Sequence, residues 1–152
     1  MSTHSALNVA KWFICYNEMS VNDNGGEKLS NLKLQKLLYY AQGCFLAIKG
    51  VPLFSDPIEA WQHGPVVPAV YHYYKHFGAD GIACEEDDGA YLSEFTEDES
   101  ELLIEVYNVF GQYSAWKLRN MTHQEAPWKE TPSGAVISLD SIRDYFKEEY
   151  VS

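Results

Sequence analysis

The feature that most constrains the fold of this chain is a predicted helix, beginning after Ser30, that is apolar on two faces. The Ser30 hydroxyl suits an N-cap, and Leu29 and Leu34 match a hydrophobic staple around it. Gly50 and Pro52 predict where the helix ends. Its main apolar face consists of Leu34, Leu37, Leu38, Ala41, Cys44, Phe45 and Ile48. A second stripe on the opposite side consists of Leu32, Tyr39 and Leu46.

A helix with two apolar faces is usually buried in the middle of its domain. We therefore expect the helix from Ser30 to Ile48 to lie near the centre of the fold. The alternative is that one of the two stripes is a surface for a partner.

A short strand and a second aromatic helix are predicted to follow. Residues Ile58 to Gln62 alternate in polarity, with Trp61 on one face. His63-Gly64-Pro65 ends the strand, because the residue before a proline avoids helical backbone, and Pro68 suits the first turn of the next helix. The apolar face of that helix consists of Val67, Val70, Tyr71, Tyr74 and Phe77. Off this face lie His72, Tyr73 and His76.

Most of the remaining chain is predicted to be helical. A first helix turns Ala6, Val9, Ala10 and Phe13 inward, and a turn-rich loop is expected at residues 22–26. Thr96 and Glu99 form a capping box, and the helix after it turns inward Leu102, Leu103, Val106, Val109, Phe110 and Tyr113. A short helix is expected from about Ser114 to Gln124, and a last one from Ser138. Residues 135–137 are a further candidate strand.

Length and composition agree with one globular domain. The 152 residues, 46% of them hydrophobic and 14% aromatic, suffice for a sizeable core. We expect a compact, mostly helical α+β domain over residues 1–152. It is expected to have a central helix, a small antiparallel sheet and no separate DNA-binding domain.

Cysteine usage and hydropathy predict a cytoplasmic protein. Cys15, Cys44 and Cys84 are widely spaced and indicate neither a disulfide framework nor a zinc motif. No apolar run approaches the ~20 residues that span a bilayer, and the first residues lack the features of a secretory signal. We therefore expect a reducing compartment and no membrane partner.

The chain is strongly acidic, with a net charge of −11, and its acidic residues are clustered. Between Lys75 and Lys117 there are eleven acidic residues and no lysine or arginine. Phosphate backbones are bound by excess positive charge, so no nucleic-acid partner is expected. A basic protein partner is favoured. The alternative is a solvated loop and helix start whose charge maintains solubility.

No combination of residues makes a case for catalysis or a cofactor. His72 and His76 have the spacing of a zinc pair, but no third ligand is identifiable. His63 and His123 are candidate bases without a positioned nucleophile. Cys44 is predicted on a buried face, where a thiol is usually inert. We expect no enzyme activity, no metal site and no cofactor.

Several motifs resemble a known family. SNLKLQKLLYYAQG, LAIKGVPLF and IEAWQHGPVVPAVY are similar to the Panacea domain, also described as the SocA-like or phage-associated antitoxin domain of bacteria and their phages. THQEAPW, from Thr122 to Trp128, is similar to that family's second motif. The resemblance implies a mostly helical domain that neutralises a toxin encoded beside it. Neutralisation in the family is generally by direct binding, and one member delivers its toxin to a protease as an adaptor.

The sequence thus predicts an antitoxin whose partners are a cognate protein toxin and, in the adaptor mode, a bacterial protease. Two other interpretations stay open. One is a small hydrolase of an unrecognised class that uses His63 or His123. The other is a regulatory or structural protein of a prophage without a toxin partner.

Exposed aromatic side chains beside a turn are the predicted partner contacts, because they bury a large area at low entropic cost. The strand, turn and second helix supply Trp61, His63, Gly64, Pro65, Tyr71, Tyr73 and Tyr74, and the central helix adds Tyr39 or Tyr40. The alternative is that these rings belong to the core. Four acidic residues are expected to steer association, namely Glu85, Glu86, Asp87 and Asp88.

Overall fold

The computed structural model describes residues 4–24, 28–78, 80–84 and 94–151. Its helices are α1 (Ala6–Asn24), α2 (Asn31–Lys49), α3 (Pro68–Tyr74), α4 (Glu97–Phe110), α5 (Ala115–His123), α6 (Ala126–Lys129) and α7 (Leu139–Glu149). A short 3-10 segment, Lys75–Phe77, extends α3, and the strands are β1 (Glu59–Trp61) and β2 (Gly64–Val66). The predicted mostly helical α+β class is confirmed. Among the described residues, no helix has the length and hydropathy needed to cross a bilayer.

Helix α2 is the centre of the fold, as its two apolar faces predict. Ser30 caps it by accepting a hydrogen bond from the Lys33 N–H, and Gly50, with φ of 79°, ends it in left-handed backbone. Helices α1, α4, α5 and α7 and strand β2 all pack against it. Most residues of both apolar faces are buried. Polar side chains of α2 are buried as well, among them Gln35, Lys36 and Gln42. One helix therefore organises the core.

Two buried glutamines of α2 hold the connector that follows the helix. Gln42 Oε1 accepts from the Leu53 N–H at 2.7 Å, and its Nε2 donates to the Phe54 carbonyl at 2.8 Å. Gln35 Oε1 accepts from the Val67 N–H at 2.9 Å, immediately before α3. Buried amides need such partners, so these bonds fix the chain on both sides of the sheet.

Strands β1 and β2 form a short antiparallel hairpin, with Glu59 opposite Val66 and Trp61 opposite Gly64. The predicted strand is confirmed in shortened form. Residues 134–137 lie along the other edge of β1, where the Ala60 N–H donates to the Ala135 carbonyl at 2.9 Å. This pairing brings the start of α7 beside the hairpin.

Helix α7 packs on α2 through an aromatic contact that requires a glycine. A Cβ at Gly43 would collide with the ring of Phe146, which is fully buried. The centroid of that ring lies 5.4 Å from the Tyr39 centroid and 5.8 Å from the Tyr40 centroid. Tyr40 in turn stacks on Phe110 of α4, with centroids 3.9 Å apart. Helices α2, α4 and α7 therefore share one aromatic core.

Three expectations are wrong. Helix α1 continues to Asn24, where a loop was predicted, and residues 25–26 of that loop lie outside the described part of the chain. Cys15 and Cys84 form a disulfide across 69 positions, so the cysteines give no argument for a reducing compartment. Ile48 and Val109, predicted to face inward, are 54% and 42% exposed, because no element among the described residues covers these ends of α2 and α4.

The central position of α2 can be tested with a matched pair of truncations. Leu37→Ala and Leu38→Ala are each expected to lower the free energy of unfolding by about 2–5 kcal/mol, since both side chains are fully buried. Ile48→Ala, on the same helix but exposed, is expected to cost less than about 1 kcal/mol. Equilibrium urea denaturation measures all three. Equal losses at buried and exposed positions would contradict this placement of α2.

Candidate functional site

Among the described residues, Glu125 is the one carboxylate that is buried in the core, with 3% of its surface exposed. Three tyrosine hydroxyls donate to it: Tyr39 to Oε1 at 3.0 Å, and Tyr40 and Tyr150 to Oε2 at 2.9 Å and 2.6 Å. A buried carboxylate without partners would be very unfavourable. The hydroxyls replace the donors that water would supply, and they come from α2 and from the end of α7. We call Glu125 and these three tyrosines the tyrosine–carboxylate cluster.

The local sequence places Glu125 at the junction of α5 and α6. Its backbone is extended at the N-cap position of α6, where Pro127 occupies the first turn. The chain turns at this point, and the Glu125 side chain meets the tyrosines of α2. Sequence analysis noted the motif around Glu125 but missed the residue itself. The available signal was an acidic residue inside a motif whose other members are mostly apolar or small.

Burial governs the titration of the tyrosine–carboxylate cluster. Burial raises the pKa of Glu125, although hydrogen bonds from Tyr150, Tyr40 and Tyr39 oppose the rise. Burial, and then the charge of Glu125, raises the pKa of Tyr39 and of Tyr40. Burial, followed by the hydrogen bond to Glu125, also raises the pKa of Tyr150. The hydroxyls therefore stay protonated and act as fixed donors, which suits an anchor and not a proton relay.

A second buried ionisable group, Lys36, lies under the start of β2. Its Nζ donates to the Pro65 carbonyl at 3.1 Å. Burial, and then the charge of Arg119, lowers the pKa of Lys36 to about 7. Gly64 has φ of 115°, and a Cβ there would lie 2.7 Å from Lys36 Cε and 2.8 Å from Thr122 Oγ1. Only glycine fits this position, so the start of β2 packs closely against both α2 and α5.

Both candidate histidine bases contact other side chains instead of a nucleophile in the described part of the chain. His63 Nδ1 accepts from Arg119 Nε at 3.2 Å, and His123 stacks on Trp128 with ring centroids 4.1 Å apart. In the described part of the chain, neither imidazole is hydrogen-bonded to a serine, threonine or cysteine side chain. The same residues include no group of three or more His, Cys, Asp or Glu placed to hold a metal ion. Burial raises the pKa of the Cys44 thiol to about 12, so this thiol is a poor nucleophile.

The segment that builds this core also carries a family match. The family described as "Antitoxin SocA-like, Panacea domain" matches residues 34–129, which include Tyr39, Tyr40 and Glu125. The chain belongs to this family. It is also similar to Antitoxin SocA of Caulobacter vibrioides (strain NA1000 / CB15N), with 34% identity over 141 residues that cover 82% of this chain and 75% of that protein. No solved structure matches the chain at a significant level.

In this Panacea domain, five of the predicted contact residues are buried. Tyr39 and Tyr40 are fully buried at Glu125, and Tyr74 is 3% exposed. Gly64 and Pro65 are buried in β2, above Lys36. Contact of these five residues with a partner would require the core to open. In this conformation they fit the alternative interpretation, that they belong to the core.

The accessible predicted contacts face different neighbours. Trp61 and Tyr71 are half-buried, with ring centroids 5.1 Å apart. Tyr73, which is 47% exposed, lies instead beside α1, where the Lys11 Nζ is 5.6 Å from its ring centroid. His63 is exposed beside Arg119. The structure thus separates Tyr73 from the ring pair at Trp61.

Two further observations complete the comparison with the predicted contacts. Glu85, Glu86, Asp87 and Asp88 lie outside the described residues. Trp116, which sequence analysis did not single out, is 57% exposed under the Arg119 guanidinium, at 4.3 Å from carbon to ring centroid. Its position near the start of a short helix gave no signal that separated a surface tryptophan from a core one.

The anchoring role of Glu125 predicts a large effect of truncation. Glu125→Ala is expected to destabilise the fold by about 2–5 kcal/mol, because it opens a cavity and leaves two buried hydroxyls and the partly buried hydroxyl of Tyr150 without their acceptor. Glu125→Gln keeps the shape and one acceptor oxygen, so it is expected to cost less. Denaturation followed by circular dichroism measures both changes. A Glu125→Ala protein as stable as the parent would show that the cluster is dispensable.

Proposed function

We propose that this chain neutralises a cognate protein toxin by binding to it directly. The observation that carries the proposal is its membership of the Antitoxin SocA-like family, together with the identity of 34% to Antitoxin SocA. A stable core and accessible aromatic side chains are compatible with a protein that works by contact. The proposal gives no catalytic role to His63 or His123, since neither is hydrogen-bonded to a serine, threonine or cysteine side chain among the described residues.

The accessible rings and the charge of the chain support a basic partner. Trp61, Tyr71 and Tyr73 offer aromatic area that a partner can cover. The net charge of −11 favours association with a positively charged protein and repels nucleic acid. In this proposal Glu85, Glu86, Asp87 and Asp88 steer the encounter and contribute little to the final affinity.

Neutralisation by contact can take two forms that differ in the fate of the toxin. If the chain blocks the toxin, the amount of toxin in the cell stays constant while growth recovers. If the chain delivers the toxin to a protease, the amount of toxin falls. We propose blocking as the primary mode, because binding alone suffices for it and delivery adds a second partner.

Co-expression with the toxin encoded beside this gene tests the proposal. The parent chain is expected to restore growth, and the two purified proteins are expected to form a stable complex. Tyr73→Ala is expected to weaken that complex by more than ~1 kcal/mol, because it removes an exposed aromatic ring, whereas Tyr73→Phe keeps the ring and the affinity. Growth assays and calorimetric titration give the two readouts.

An immunoblot of the toxin in the same cultures separates blocking from delivery. No growth recovery with the parent chain, despite soluble expression of both proteins, would contradict the antitoxin proposal. Recovery with no complex between the purified proteins would contradict direct binding. Unchanged affinity of Tyr73→Ala would remove only Tyr73 from the interface.

A further inference from the structure

An open groove of about 780 Å³ runs between the C-terminal half of α2, the exposed face of α4 and the C-terminal residues after α7. Its floor is apolar and includes Val106 and Phe110, which are also part of the core. Its walls include Ile48, Val109 and Tyr150. No described element of this chain fills the groove. We call it the α2–α4 groove.

The walls of the α2–α4 groove contain exposed apolar side chains. Among the described residues eight large hydrophobic side chains are exposed, and three of them line this groove: Ile48 at 54%, Val109 at 42% and Tyr150 at 39%. The apolar faces of α2 and α4 therefore extend beyond the core that they build. An apolar groove bordered by polar residues has the geometry that accepts one face of an amphipathic helix.

The rim of the groove is acidic. Asp98, Glu101 and Glu105 line it on α4, and Lys49 is the one basic residue among the lining residues. Lys49 Nζ lies 3.6 Å from the Asp98 carboxylate, so this ion pair leaves Glu101 and Glu105 as the unbalanced charges of the rim. An occupant that carries basic residues beside an apolar face complements both properties.

The walls are also held in place before any partner arrives. Tyr150 is partly exposed, yet its hydroxyl donates to the buried Glu125 at 2.6 Å and its ring packs on Phe110 at 5.6 Å between centroids. A wall that is fixed by the core loses little entropy when it binds. From Asp98 to Val109, α4 extends about 17 Å at ~1.5 Å per residue, which matches about three turns of a bound helix.

We propose that the α2–α4 groove binds an amphipathic helix of the toxin that has one apolar face and flanking lysine or arginine residues. This inference rests on the proposed antitoxin function and adds the site and the chemistry of its partner. The apolar face contacts Ile48, Val109 and Tyr150, and the basic residues pair with Glu101 and Glu105. The groove shares no residue with the ring pair at Trp61 or with Tyr73, so the two surfaces can be tested separately.

A binding experiment with model peptides tests the groove without the toxin. The probes are two helical peptides of about twelve residues with the same leucine pattern, one with lysine and one with glutamate at the polar positions. The full chain is titrated with each by calorimetry at low and moderate salt. The lysine peptide is expected to bind at least about tenfold more tightly than the glutamate peptide, with the difference reduced by salt. Equal affinity of the two peptides, or no binding of the lysine peptide, would contradict the proposal.

Matched variants of the chain locate the binding. Val109→Ser combined with Ile48→Ser is expected to weaken binding of the lysine peptide about tenfold or more. Val136→Ser, which changes an exposed valine outside the groove, is expected to have no effect. Glu101→Lys with Glu105→Lys is expected to abolish the preference for the lysine peptide. Asp80→Lys with Glu130→Lys makes the same change in net charge away from the groove and is expected to preserve it. Equal effects of groove and control variants would contradict the proposal.

The toxin assay then separates failure of the groove from failure of the antitoxin function. Neutralisation by the parent and by Val136→Ser, but not by the Ile48→Ser/Val109→Ser variant, supports the groove. Neutralisation by all three contradicts the groove and leaves the antitoxin function in place. If the parent chain itself does not neutralise the toxin, this result contradicts both the proposed antitoxin function and the proposal that a toxin helix occupies the groove. Size-exclusion chromatography with light scattering tests whether a second copy of this chain occupies the groove. A dimer that Val109→Ser dissociates would assign the groove to that second copy and contradict the toxin helix as its occupant.

Discussion

The rest of the structure depends on one buried interaction, in which the Glu125 carboxylate accepts hydrogen bonds from three tyrosine hydroxyls. A buried charge is tolerated only when its hydrogen-bonding capacity is met, so the donors must be held close to it. Two donors, Tyr39 and Tyr40, are fixed by α2, and the third, Tyr150, follows α7. The interaction therefore sets the positions of α2, the start of α6 and the C-terminal end relative to one another. Phe146 and Phe110 fill the space around it, and Gly43 lets α7 approach closely enough.

The surfaces that we propose for partner binding lie at the edges of this anchored core. Tyr150 connects the core with one of these surfaces, because its hydroxyl belongs to the tyrosine–carboxylate cluster and its ring forms a wall of the α2–α4 groove. A contact surface that is built on a fixed core is already arranged for binding, which reduces the entropic cost of association. This organisation is compatible with the function that we propose for this member of the Antitoxin SocA-like family, which is binding to a partner by contact.

Sequence patterns predicted the helix ends and the strand that are determined by residues close together in the chain. The Ser30 cap, the Thr96 capping box, the Ser138 start of α7 and the strand at Trp61 all depend on neighbouring residues, and the structure confirms them. The patterns could not predict contacts between distant segments, such as the Cys15–Cys84 disulfide and the approach of Glu125 to Tyr39. Helical periodicity also assigned Ile48 and Val109 to the interior, because it identifies an apolar face and not the element that covers it. In this chain that difference is informative, since both residues line the uncovered groove.

Hydrogen–deuterium exchange of the chain, alone and bound to the toxin that we propose as its partner, tests most directly whether a preformed core presents its edge to a partner. The account predicts added protection in α4 between residues 98 and 109 and at residues 150–151. It also predicts unchanged slow exchange in the middle of α2 around Gly43, because the tyrosine–carboxylate cluster stays closed. Faster exchange in α2 on binding, or protection confined to other elements while α4 is unchanged, would contradict the account.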